Sequence, residues 1–194
     1  MAELLMARTA LDGAAAGELR THGGTAMVML SELPASTMLD VRLDPADVAT
    51  LAAVQKAAGL DLPQTPGQFS AHAERSALWF GPDQWLILAP AGEAGALMRA
   101  LNAVAGSIVD VSDLRAEFEL AGPLAVDVLR KGCGIDLHAR VFGPANCALT
   151  SLARVRVALR QTDERPGYRL LVERSVALYL WDWLVDAMRE FVGG

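Results

Sequence analysis

The rhythm of apolar and polar residues changes several times along the chain, and each change marks an element. Thr37–Leu43 (TMLDVRL) sets apolar Met38, Val41 and Leu43 against polar Asp40 and Arg42, an imperfect alternation that predicts a strand with one wetter face. Asp44-Pro45 can open a helix, because Asp caps unpaired N–H groups and Pro has none to lose, and Gly59 suits a left-handed stop; a helix is predicted over Pro45–Ala58. Asp61–Ser70 holds Pro63, Pro66 and Gly67 and reads as loop. ALWFGPDQWLILAP then places two apolar runs about Gly81-Pro82-Asp83-Gln84, a hairpin. Gly92–Ala105 repeats Leu97, Leu101 and Val104 at helical spacing, and Ser107–Val111 returns as strand.

The pattern is sharpest in Asp110–Leu137, DVSDLRAEFELAGPLAVDVLRKGCGIDL. Ala116, Phe118 and Leu120 alternate with Arg115, Glu117 and Glu119, so this strand has one apolar face and one that is wet or paired with charges. Gly122-Pro123 starts a helix, Pro123–Lys131, which Gly132 and Gly134 end. Cys147–Gln161 reads as one long strand in which Val155, Val157 and Leu159 alternate with Arg154, Arg156 and Arg160. Asp163–Gly167 turns it into a strand at Tyr168–Val172. The last helix, Ser175–Phe191, presents Val176, Tyr179, Leu180, Trp183, Leu184, Ala187, Met188 and Phe191 as a core face. A second apolar stripe, Leu178, Trp181 and Val185, leaves a narrow polar sector. Either the N-terminal arm covers that stripe or another subunit does, which makes these three the interface candidates.

Val41–Pro63 and Phe118–His138 carry the same design: strand, proline-initiated helix, and a GLDL or GIDL exit. Each is followed by strand, turn, strand, helix. The reading is an α+β chain with two pseudo-repeated ferredoxin-like (βαββαβ) halves, about 37–111 and 112–194, behind an N-terminal arm of residues 1–36.

Composition narrows the setting. With 53% hydrophobic residues in 194, the chain can bury a sizeable core. A formal charge of −6 disfavours nucleic acid. No uncharged apolar run reaches the ~18 residues that cross a bilayer, and Glu3 and Arg8 break the start, MAELLMARTALDG, unlike a secretory leader. A cytoplasmic protein is expected. Cys133 and Cys147, with no CxxC, suit reduced thiols; with His138 between them they match no zinc spacing, and no metal site is expected.

Candidate chemistry is sparse. His22, His72 and His138 all fall in predicted loops, and the hydroxyls of Ser112 and Ser151 sit in no nucleophile elbow. No phosphate-binding glycine loop follows a strand. Asp110 and Asp113 fit turn-capping better than catalysis. Arg154, Arg156, Arg160 and Arg169 could gather a carboxylate or a polyglutamyl tail; a solvated strand face paired with Glu117 and Glu119 explains them equally well.

The Asp110–Leu137 stretch resembles the strand, Gly-Pro, helix segment of the aminomethyltransferase (glycine-cleavage T-protein) superfamily. With CALTSLARVRVALRQTD, PGYRLLVERSVALYLWDWL and LWFGPDQWLIL, the chain is similar over nearly its full length to the gamma-subunit family of heterotetrameric sarcosine oxidases. The resemblance implies a complex of alpha, beta, gamma and delta subunits that oxidises sarcosine to glycine, hydrogen peroxide and formaldehyde or 5,10-methylenetetrahydrofolate. It implies FAD, FMN, NAD and tetrahydrofolate on the other subunits, and alpha as the direct neighbour. At 194 residues the chain is about half a full aminomethyltransferase, and where that superfamily's catalytic acid is expected, near Ala153–Gln161, it reads ARVRVALRQ. An accessory role with no catalytic residue is therefore expected; the alternatives are a folate-binding module or a stand-alone one-carbon transferase.

Overall fold

A computed structural model describes residues 10–11, 27–102, 106–162 and 167–191. In chain order they form β1 (Met29–Glu32), β2 (Thr37–Arg42), α1 (Val48–Ala58), β3 (Phe69–His72), β4 (Arg75–Gly81), β5 (Gln84–Ala89), α2 (Ala94–Asn102), β6 (Ser107–Asp110), β7 (Arg115–Ala121), α3 (Ala125–Arg130), β8 (Cys147–Leu152), β9 (Val155–Thr162), β10 (Gly167–Glu173) and α4 (Ala177–Met188). The described strands make two five-stranded sheets, ordered β3-β4-β5-β2-β6 and β1-β7-β10-β9-β8, in a mixed α+β fold. The chain divides into two compact units: a first of Ser36–Ser112 with His138–Leu149, and a second of the described residues before Ser36 with Asp113–Leu137 and 150–191.

In the first unit, β2 lies between β5 and β6, antiparallel to both. Leu39, Val41, Ala77, Trp85 and Ile87 pack in one core with Val54 and Ala58 of α1 and Leu97 and Leu101 of α2. The Trp85 indole N–H donates to the Pro63 carbonyl at 2.8 Å, pinning the segment that leaves α1. The helix begins three residues later than predicted, because two aspartates share the work of starting it. Asp44 accepts from the Ala46 amide in a short turn, and Asp47 is the cap, accepting from the Thr50 amide (3.0 Å) and hydroxyl (2.7 Å). These bonds, the hydroxyl's foremost, hold the Asp47 carboxyl below the ordinary aspartate range. Gly59 ends the helix as expected, at φ 71°. The hairpin turn falls at Pro82-Asp83, also as expected.

The second unit departs more from the sequence reading. Residues 29–32, assigned to an arm, are strand: Met29 to Glu32 pair antiparallel with Ala121 to Phe118, and Leu30 is fully buried. Leu11 is buried too, beside a bond from the Ala10 amide to the Glu32 carboxylate. The single long strand over Cys147–Gln161 is instead two strands, β8 and β9, joined at Ala153-Arg154. Both turn residues are left-handed, at φ 50° and 70°, the conformation a two-residue hairpin requires. No Gly or Asn marks it.

The helix that closes this unit is rotated from its predicted face. Ala177, Leu180, Trp181, Leu184, Ala187 and Met188 are buried, while Tyr179 is half exposed. Trp181 meets Phe118 of β7 edge-on, centroids 5.4 Å apart. Gly132 owes its place to the same helix rather than to a left-handed stop: a Cβ there would stand 2.6 Å from Cζ2 of Trp183. Gly134 has no left-handed φ and open space around its Cα, so neither glycine ends α3 in the predicted way. Lys131 secures the far end, donating to the Ala187 carbonyl, pairing with Glu190 and standing 4.7 Å over the Phe191 ring. The Asp163–Pro166 turn and His22 lie outside the described residues.

Candidate functional site

On β7, the residues that alternate with the apolar face form a charged cluster with arginines of β9 and β10. Directly opposed residues share a face, and the register sets Glu119 opposite Arg169 and Arg169 opposite Arg160. Glu117, two residues along β7, accepts from Arg160 at 2.9 Å with both side chains at least nine-tenths buried. Arg169 stands 3.5 Å from Glu119, each about one-third exposed. Two of the four arginines proposed as a carboxylate-gathering patch are thus held by acids of their own sheet. Arg154 and Arg156 are exposed, the first at the β8–β9 turn. Charge pairing accounts for the inner arginines, with one correction: the Glu117–Arg160 pair is buried, not solvated. As chemistry, a carboxylate paired with a guanidinium is an ionic strut, its charge neutralised within the sheet.

The other sequence candidates fall in separate places. Asp110 accepts from the Ser112 amide (3.0 Å) and hydroxyl (2.5 Å), and the Ser112 oxygen in turn accepts from the Met38 amide (2.9 Å). This local turn fastens the end of β6 to β2, the structural role expected of Asp110. His138 accepts at Nδ1 from the Arg140 amide at 3.2 Å. The Cys147 thiol is buried and donates to the Gln68 carbonyl at 3.1 Å; Cys133 is half-buried in a bridge to Leu152, and neither is in a disulfide. Among the described residues no three or more His, Cys, Asp or Glu side chains are grouped to hold a metal.

His72 borders a depression of about 410 Å³ at the end of α1, with Lys56, Asp61 and Ser70. A neighbouring one of about 260 Å³ is bordered by Arg75 and Glu93, which pair at 2.7 Å. Both are open to solvent, and the Ser70 hydroxyl at the first donates to the Asp61 carbonyl, so they offer contact to a solute without the desolvated setting that catalysis uses.

Of the interface candidates, Leu178 is 49% exposed and Val185 half-buried, whereas Trp181 is 5% exposed and belongs to the core. The two apolar stripes of α4 look alike in sequence; what places Trp181 in the core is its contact with Phe118, far away in the chain. Tyr179, placed in the core by its spacing, is instead on the surface, its hydroxyl donating to the Ala153 carbonyl at 3.1 Å. Leu114 is a further exposed apolar residue of this unit that the sequence reading passed over. No helix among the described residues is long and apolar enough to cross a membrane.

Comparison with known proteins supplies what the local chemistry does not. Residues 42–190 match the model of the "Sarcosine oxidase, gamma subunit family". A sarcosine oxidase subunit gamma from Arthrobacter sp. is 41% identical over 182 residues, covering 90% of this chain and 87% of that one. Among solved structures, a chain of the heterotetrameric sarcosine oxidase from Corynebacterium sp. U-96, in complex with pyrrole 2-carboxylate, superposes with a TM-score of 0.86 at 35% identity. It covers 96% of this chain and 97% of that chain. The glycine cleavage system aminomethyltransferase T from Bartonella henselae matches with a TM-score of 0.59 at 17% identity, over 86% of this chain and 46% of that one; this likeness is one of fold.

Proposed function

The chain belongs to the sarcosine oxidase gamma subunit family, and from that premise we propose that it is the gamma subunit of a heterotetrameric sarcosine oxidase, an accessory subunit of the complex that oxidises sarcosine. One observation carries the reading. The likeness to a chain of the solved heterotetramer is reciprocal, 96% of one and 97% of the other, so it extends along nearly all of both chains rather than over a shared module. In this reading alpha, beta and delta are its partners, with alpha in direct contact, and they carry the FAD, FMN, NAD and tetrahydrofolate. The complex works in the cytoplasm.

The scaffold is read as two ferredoxin-like halves of aminomethyltransferase type. What supports this is that both sheets have one plan. β6-β2-β5-β4 with β3 outside has the order of β1-β7-β10-β9 with β8 outside, and a helix follows β2, β5, β7 and β10 in the same places. The engagement of Asp110 in a turn and of Glu117 and Glu119 with arginines supports an accessory rather than a catalytic role. Leu178 and Val185 are the α4 positions proposed to meet a partner subunit.

Affinity purification tests the assignment. When a tagged copy of this chain is co-expressed with alpha, beta and delta, all three are expected to co-purify in equal ratio; recovery of the tagged chain alone would sink it.

A further inference from the structure

The edge of β2 in the first unit is filled by β6, which follows α2 within a few residues of chain. The corresponding edge of β7 is filled differently. Its occupant, β1, comes from the N-terminal side, and all of Ser36–Ser112 lies between the two strands. A strand that reaches its sheet from so far along the chain is held there by its contacts, not by a short connection.

Those contacts have the form of a peptide-binding edge. Beyond the four paired residues, the Leu33 amide donates to the Glu117 carbonyl at 2.8 Å and the Leu124 amide to the Met27 carbonyl at 3.0 Å, so main-chain bonding runs from Met27 to Leu33. Val28 and Leu30, two apart, are fully buried, while Met29 and Ser31 between and after them are not; Glu32, in phase with the buried pair, is half-buried and accepts from the Ala10 amide. Gly122 makes the notch for the strand's start. Its φ is 118°, and a Cβ on it would lie 2.6 Å from the Met27 oxygen. Main-chain pairing plus pockets for alternate residues is how extended peptides add to a sheet edge.

We propose that the edge of β7, with the Gly122 notch, is a strand-binding site for an extended peptide with apolar residues at alternate positions. The chain's own Met27–Leu33 is its resident ligand, and a second copy of that segment binds there in trans once the connection to β2 is opened. Strand exchange between copies through the Leu33-Pro34-Ala35 connection follows from the same geometry.

The test uses the full chain with a specific protease site inserted between Ala35 and Ser36. After cleavage, the fragment of residues 1–35 is expected to co-elute with the remainder in gel filtration. A fluorescein-labelled synthetic peptide spanning Met27–Ala35 is expected to exchange into the complex saturably, and an unlabelled peptide carrying Leu30→Asp should compete at least tenfold less well than the unaltered one. Separation of the fragment, whether the remainder stays folded or aggregates, overturns the proposal. So does a retained fragment that never exchanges with labelled peptide, or equal competition by the Leu30→Asp peptide.

Discussion

Replacing Arg160 by Met removes one half of the buried Glu117–Arg160 pair and keeps most of the side-chain volume. At 2.9 Å, with an effective dielectric of about 20, the attraction between the charges is roughly 6 kcal/mol before desolvation. Withdrawing each ion from water costs several kcal/mol, so the intact pair is close to neutral beside an apolar pair of the same shape. The asymmetry appears when one partner goes: the Glu117 carboxylate, 6% exposed, is left buried with its charge uncompensated, at a cost of about 3–5 kcal/mol. Tryptophan fluorescence during guanidinium chloride unfolding, at a low temperature where the weakened variant is still folded, reads this directly. R160M should lose about 3–5 kcal/mol, and the double variant E117L/R160M should return to within about 1 kcal/mol of the parent. If R160M loses less than ~1 kcal/mol, or the double variant is worse than R160M alone, the pair is not the buried strut described above.

The α4 helix separates core from surface in two substitutions. Trp181→Ala should cost about 3–5 kcal/mol in the isolated chain by opening the contact with Phe118; Leu178→Asp should change stability by no more than ~0.5 kcal/mol yet reduce recovery of the other subunits in co-purification. At the β8–β9 turn, Arg154→Gly relieves a left-handed non-glycine residue and should raise stability by about 0.5–1 kcal/mol, seen as a higher midpoint of thermal unfolding. Burial pushes the Tyr168 phenol above its ordinary value of 10.0, with the Asp127 charge adding to this and the Arg130 charge opposing it. Because its pKa is raised in the folded state, the stability it contributes is full below pH 10.0 and lost as pH climbs through the folded value. Tyr168→Phe should therefore flatten the fall of the unfolding midpoint between about pH 9 and 11.

Elements with strong local signals were legible in the sequence. The α1 helix has two capping aspartates and a C-terminal glycine, and the Pro82-Asp83 turn is flanked by apolar runs; in both, the physics that forms the element is contained within a few residues. The β8–β9 hairpin was not legible, because Ala153 and Arg154 adopt positive φ under tertiary constraint and carry no turn chemistry. Nor was β1: the alternation of Val28 and Leu30 is too short to stand out, and its partner β7 lies beyond all of Ser36–Ser112. The buried charge pair shows the same limit in finer form. Alternation on β7 places Glu117 on the face opposite Phe118, yet its burial depends on strands two places across the sheet. The functional reading came from resemblance over the whole chain rather than from any constellation of residues, and the structure explains why: Asp110, His138 and the paired arginines are each occupied in holding the fold.

The central claim is that this chain is an accessory subunit whose contribution to sarcosine oxidation is made through assembly. Purifying the oxidase from co-expressed alpha, beta and delta subunits, with and without this chain, and measuring mass by native mass spectrometry alongside hydrogen peroxide release from sarcosine, tests it most directly. The account predicts a four-subunit complex containing one copy of the chain, and without it a marked loss of assembled, active oxidase. An oxidase that assembles and turns over sarcosine equally well in its absence would contradict it.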